Sequence, residues 1–199
     1  MSSATFFDEM KTSFAAVPVS DDGQVSTTEF LAASESLISL FDLLGSSAFT
    51  VVQKDMTGNV KKIREKQATD PAAFGTLQGI VLAEAGQKSR TATQGLLWLT
   101  RALHFTATAL RRNVDSDEEL TESFTKAYSE TLIKFHSIVV RPVFKLAMKA
   151  TPYRKDFYAK LGGDLAKVKA QLIEWLSALE AIVKNIQAFF ESGNYGKGL

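Results

Sequence analysis

Asp55, Asn59 and Lys62 stand at i, i+4 and i+7 in the stretch AFTVVQKDMTGNVKKIREKQ, residues 48–67, so in a helix they share one face. They supply an acid, an amide and a base. Phe49, Val52, Met56, Val60 and Ile63 lie on a partly overlapping apolar arc, which puts the polar trio at the border of a core rather than in open water. A simpler reading of the first pair is an intrahelical hydrogen bond between Asp55 and Asn59. Lys61, Arg64 and Lys66 read as a solvated helix face, which Lys62 leaves only because it lies beside Asp55 and Asn59.

Other chemistry-bearing residues are sparse. His136 neighbours Phe135, Ile138 and Val139, and Trp98 sits in a run of leucines. Taken singly, each is more simply a core side chain than a ligand contact. There is no GxSxG, GxxxxGK[ST] or HExxH, and with no Cys and two His a metal or haem site has few ligands. Neither an enzyme nor a cofactor is expected.

The elements that must position these residues read as helices throughout. Phe6, Met10 and Phe14 give a short amphipathic helix over about Thr5 to Ala16, before Pro18. Ser26 with Glu29 has capping-box spacing, and the stripe from Phe30 to Leu44 runs until Gly45. Gly58 interrupts the next helix, and a glycine there is either a tolerated defect or a mark of close approach. Asp70 before Pro71 predicts a helix start, with its end at Gly86. Thr91 to Arg112 reads as a long buried helix. Ser116 with Glu119 suggests a second capping box, opening a helix that continues past His136 until a break near Ile138 to Arg141, ahead of Pro142. Thr151 and Pro152 start a short segment, and Asp164 caps a last helix to about Phe190. With no strand-period alternation, the expected fold class is all-α, a bundle of seven or eight helices in a single domain over residues 1–199.

Composition bounds the partners. Lys and Arg number 23 against 22 Asp and Glu, so no overall basic field recruits nucleic acid. The absence of Cys excludes a disulfide framework and thiolate chemistry. The N-terminus reads as neither a signal peptide nor a membrane span, so the expected location is cytoplasmic, with any membrane contact peripheral. Fourteen Phe in 199 residues hint at a wide interior, although aromatic filler in an ordinary core is the simpler reading.

Together, FDLLGSSAFTVVQKDMTGNVKKI, LLWLTRAL, KFHSIVVRP and the ending NYGKG resemble the glycolipid transfer protein family, most closely its fungal members of the heterokaryon-incompatibility type. The similarity covers nearly the whole chain in order, and the combination Asp, three residues, Asn, two residues, Lys, then a distant Trp and a distant His, is specific. The resemblance implies a two-layer helical sandwich that carries one glycosphingolipid between membranes, as a monomer and without bond chemistry. It implies that Asp55 accepts from the sphingoid amide and a sugar hydroxyl, that Asn59 and Lys62 bind the first sugar, and that Trp98 is its stacking platform. His136 would donate to the amide carbonyl and Tyr195 would close over the headgroup. Phe41, Phe49, Phe105, Phe144, Met148 and Phe157 would line the space for the hydrocarbon chains.

Relatives that carry ceramide phosphate have a basic residue in place of Asn59 and Arg in place of Trp98. A phosphate needs cations or forked donors, so the residues present here favour a sugar, as in galactosyl-, glucosyl- or lactosylceramide. Some relatives carry an aromatic at the membrane contact, where this chain has Ile138. Ile138 is then either a shallow membrane anchor flanked by Arg141, Lys145 and Lys149, or a core residue. Two other functions compete: a groove for an amphipathic helix of a protein partner, and a glycolipid hydrolase using Asp55, Lys62 and His136.

Overall fold

The longest uninterrupted apolar patterns in the sequence become the two longest helices, and one of them is the hub. In the computed structural model, which describes residues 4–199, there are nine α-helices and no strand among the described residues. They are α1 (Phe6–Glu9), α2 (Thr27–Leu40), α3 (Thr50–Thr69), α4 (Leu77–Glu84), α5 (Thr91–Asp115), α6 (Leu120–Thr131), α7 (Arg141–Lys149), α8 (Arg154–Leu161) and α9 (Leu165–Ser192). Short 3-10 turns at Phe14–Ala16, Phe41–Leu44 and Ser47–Phe49 link the early elements. The all-α expectation holds. The single domain expected over residues 1–199 includes Met1 to Ser3, which lie outside the described residues.

α5 packs against α3, α4, α6 and α9, and its buried face is rich in small residues, among them Ala92, Gly95, Ala102, Ala107 and Ala109. Its first turn is held from outside. Buried Glu84 accepts from the Ala92 and Thr93 amides at 3.3 and 2.8 Å and from the Thr93 hydroxyl at 2.7 Å, a carboxylate satisfying orphan amides at the positive end of a helix.

Several boundaries differ from expectation. The first helix is four residues long, because Thr5 and Asp8 form a capping box and the chain turns extended at Met10. Asp70 accepts from the Ala73 amide at 3.0 Å, but that turn does not propagate, and α4 starts later with Thr76 as its cap. Neither predicted capping box forms: the Ser26 hydroxyl donates to the Glu29 carboxylate, and Glu119 accepts from the Arg154 amide at 2.8 Å. α6 ends at Thr131, before the predicted break. The amides of both Leu132 and Ile133 turn to the Tyr128 carbonyl, and the chain runs through turns to α7, where Pro142 sits in the first helical turn. Asp164 does cap α9, accepting from the Lys167 amide at 3.1 Å, and Gly45 ends the α2 stripe at φ 68°, where a side chain would be strained.

The interior is a connected ladder of aromatic rings. Centroids step from Phe41 to Phe49 (5.8 Å), to Phe124 (6.5 Å), to Phe105 (5.8 Å), to Tyr128 (6.3 Å) and to Phe144 (5.6 Å). Phe157 and Met148 are likewise buried. Edge-to-face contacts recur along it, as ring quadrupoles favour.

Candidate functional site

α3 presents the polar trio as a relay. The Asn59 amide donates to an Asp55 carboxylate oxygen at 3.2 Å, and the Lys62 ammonium donates to the Asn59 carbonyl at 3.1 Å. The intrahelical Asp55–Asn59 bond is therefore formed. Asn59 is buried while Asp55 stays open to solvent. Packing around the carboxyl pushes Asp55 above its usual range, against the pull of the Lys62 ammonium.

The close approach that brings α5 to this face occurs at Gly95, not Gly58. A Cβ on Gly95 would meet the Asn59 backbone carbonyl oxygen and the Lys62 Cβ, both at 3.1 Å, whereas one on Gly58 would meet nothing within 4 Å. Three residues after Gly95, on the same side of α5, stands half-buried Trp98. Its indole lies parallel to the His136 imidazole, at an interplanar angle of 12° and a centroid distance of 5.9 Å.

His136 is held from three directions. Its ring packs on Phe144 at 4.3 Å, its carbonyl accepts from Arg141 Nε at 3.0 Å, and its Nδ1 lies 3.0 Å from the Tyr128 hydroxyl. Burial, with Arg141 and Arg101 adding to it, holds the imidazole below its ordinary range, so it is neutral at pH 7. Burial also raises the Tyr128 hydroxyl, which keeps its proton. We therefore assign Tyr128 as donor to Nδ1, leaving the His136 proton on Nε2, free to donate.

Tyr195 sits apart from this group. Its ring stacks on Phe189 at 4.9 Å, and its carbonyl accepts from Arg90 at 3.1 Å. The six apolar residues expected around the chains, Phe41, Phe49, Phe105, Phe144, Met148 and Phe157, are all buried. Ile138 is 80% exposed, with Val139 at 82% and Leu146 at 65%, so the core alternative for Ile138 is excluded. Sequence reasoning missed Arg101, whose guanidinium lies 4.7 Å from the Trp98 ring centroid and 3.8 Å from that of Phe135. It also missed Tyr128, whose partner His136 is eight positions away across a helix end.

Donors and acceptors of both kinds on a rim, beside an aromatic plate and above an apolar interior, suit a molecule with a hydroxyl-rich head and hydrocarbon tails. The chain belongs to the glycolipid transfer protein family, whose model matches residues 25–163. It is 56% identical over 189 residues to the glycolipid transfer protein of Aureobasidium melanogenum, covering 94% of each chain. It is 38% identical over 161 residues to the human pleckstrin homology domain-containing family A member 8, covering 79% of this chain but 31% of that larger protein. Among solved structures, HET-C2, a fungal glycolipid transfer protein, superposes with a TM-score of 0.91 at 49% identity, covering 94% of this chain and 97% of the other. A mouse ceramide-1-phosphate transfer protein shares the fold at a TM-score of 0.87 and 22% identity, over 97% and 98% of the two chains.

Proposed function

We propose that this chain takes one glycosphingolipid from a membrane, carries it through water and releases it at another, or reports its presence. The observation that carries this is the juxtaposition of the Asp55–Asn59–Lys62 relay with Trp98 and His136, from three separate segments. An amide has one donor and one acceptor. Asp55 accepts from the sphingoid amide N–H, and the His136 Nε2–H donates to its carbonyl. Asn59 and Lys62 hold hydroxyls of the first sugar, whose apolar face lies on Trp98, and Tyr195 closes from the tail. A lipid without the amide covers Asp55 and His136 yet leaves them unpaired, at about 1–3 kcal/mol each.

The energetic case rests on the chains. A ceramide exposes on the order of 30 methylenes at about 0.8 kcal/mol each when it leaves a bilayer unaided. An interior lined by Phe41, Phe49, Phe105, Phe144, Met148 and Phe157 removes that penalty. These side chains belong to one packed core cluster, so the hydrocarbon enters by displacing them. The exposed cluster of Ile138, Val139, Val143 and Leu146, with Lys145 and Lys149 on the same helix-and-turn segment, is the membrane contact. We place the protein in the cytoplasm, as a monomer peripheral to membranes, with residues 1–199 acting as one unit. No helix among the described residues is long and apolar enough to cross a membrane, in keeping with transient contact.

The test is vesicle-to-vesicle transfer of labelled galactosyl-, glucosyl- and lactosylceramide, with ceramide phosphate and sphingomyelin as controls. Transfer of the glycolipids well above the controls is expected. Equal transfer of all five rejects the proposal, as does a chain that neither transfers nor binds the glycolipids.

A further inference from the structure

The tail after α9 is held firmly at its backbone and loosely at its one aromatic side chain. α9 ends at Ser192, and Asn194 turns the chain at φ 55°, a left-handed angle that asparagine tolerates. The Tyr195 amide then donates back to the Phe190 carbonyl at 3.0 Å. On its other side the Arg90 guanidinium donates to the Tyr195 and Lys197 carbonyls at 3.1 and 2.7 Å. Both peptide groups flanking the Tyr195 Cα are thus fixed, and the residue keeps freedom only about its side-chain bonds.

These anchors tie the tail to the part of α5 that carries the site. Arg90 immediately precedes the helix, and a Cβ on Gly196 would meet the Leu97 side chain at 3.3 Å. Gly95, against which Asn59 and Lys62 pack, lies between those two contacts, and Trp98 follows the second. All of them fall within the first two turns or so of α5. The Tyr195 ring is nevertheless parked on α9. It stacks on Phe189 at 24° and 4.9 Å, and it occupies the space beside Gly193. A Cβ on Gly193 would lie 2.7 Å from the Tyr195 hydroxyl oxygen and closer still to two ring carbons. Gly193 stands at φ −116°, on the side of the backbone map open to residues with side chains, so the ring and not the backbone is what excludes one there.

We propose that Tyr195 is a lid with two positions, that Gly193 is the notch in which its ring is parked against Phe189, and that Arg90 is the latch that fixes its backbone for the swing toward the headgroup. Gly193 and Arg90 touch no lipid; they are positioning residues that act through Tyr195. Stacking on Phe189 competes with closure over the lipid, so the apparent affinity is the intrinsic affinity scaled by the fraction of molecules whose ring is released. A change of side-chain rotamer is enough for the swing, and α9 does not unwind.

This rests on the glycolipid reading, in which Tyr195 closes over the headgroup, and the experiment separates the two. Partition of labelled galactosylceramide between phosphatidylcholine vesicles and the full chain gives the affinity, and a thermal melt of each variant shows whether it is folded. The Cβ of Gly193→Ala meets the tip of a side chain and no distant backbone, so Tm should hold while galactosylceramide binding tightens by roughly three- to tenfold, as for a ring parked in about two-thirds to nine-tenths of wild-type molecules. In a Tyr195→Ala chain the same substitution should change nothing, because there is no ring to evict, and a merely structural effect of the alanine would not cancel in this way. Arg90→Gln should weaken binding by about threefold, and Arg90→Lys, which offers a point charge in place of a fork across two carbonyls, should recover only part of it. Unchanged or weaker binding by folded Gly193→Ala, or an equal shift with and without Tyr195, overturns the lid alone. Wild-type binding by both Tyr195→Ala and Arg90→Gln does the same, and this pair decides the matter should Gly193→Ala melt early. A wild-type chain that takes up no galactosylceramide overturns the glycolipid reading and the lid together.

Discussion

The chain holds two tryptophans, and their surroundings show how one residue type serves opposite ends. Trp175 on α9 is 3% exposed and wedged between Phe7 and Phe14, each at a centroid distance of 5.9 Å. Its indole N–H finds no partner among the described residues. Trp98 on α5 is half-exposed and bordered by Arg101, Phe135 and His136. One contributes area removed from water. The other keeps a ring edge in water among polar groups, which a core residue gains nothing from. What separates structure from site here is the company each ring keeps.

Replacing each ring in turn should break the comparison cleanly. Trp175→Ala should cost about 3–5 kcal/mol and lower Tm by roughly 10 °C, with the transfer rate of the remaining folded protein near that of wild type. Trp98→Ala should do the converse, leaving Tm within about 3 °C while transfer of galactosylceramide falls by roughly tenfold or more. Thermal melts and transfer assays on the same preparations check both.

The comparison sharpens when the platform is changed rather than removed. Trp98→Arg with Asn59→Lys replaces a stacking surface and a neutral amide with two cations, so ceramide phosphate transfer should rise severalfold and glycolipid transfer fall. An unchanged headgroup preference would remove Trp98 and Asn59 from selection.

A smaller effect is expected at the docking cluster. Ile138→Asp on the exposed turn should weaken vesicle binding by roughly tenfold at unchanged Tm. Intact vesicle binding by the folded variant rejects Ile138 as an anchor.

The smallest effect is on pH dependence. His104 and His136 sit below their ordinary value of 6.5 in the folded chain, so on acidification the unfolded chain takes up protons first. Stability present above pH 6.5 is lost as pH falls below it. Asp55 runs the other way. Its carboxyl is raised above 3.8, so the charged form costs stability at neutral pH and the cost fades on acidification. His136→Gln should flatten the fall in Tm between pH 7.5 and 5.5, and Asp55→Asn should raise Tm at pH 7 by about 1–3 °C.

Legibility followed locality. Asp55, Asn59 and Lys62 were readable because their geometry is set within one helix, and α5 because Gly95 is the one breaker between Thr91 and Arg112. Ser26 with Glu29 and Ser116 with Glu119 have the right spacing for capping boxes, yet spacing does not decide whether a side chain turns to its own backbone or to a neighbour. The end of α6 was unreadable because Leu132, Ile133 and Phe135 continue the apolar pattern, while the chain turns where the Leu132 and Ile133 amides share the Tyr128 carbonyl. Trp98 and His136 came only from the family resemblance. Arg101 gave no signal, since an arginine on a helix reads as solvated until tertiary structure lays it on two rings.

Asp55 concentrates the central claim, because a lipid carrier and a helix-binding groove make opposite demands on it. The decisive measurement is the rate of galactosylceramide transfer by Asp55→Val alongside its melting temperature. A carrier that reads the sphingoid amide should lose transfer by roughly tenfold or more, from one unmade charged hydrogen bond, with Tm unchanged or higher. Wild-type transfer by a folded Asp55→Val protein would contradict that role and remove Asp55 from headgroup recognition.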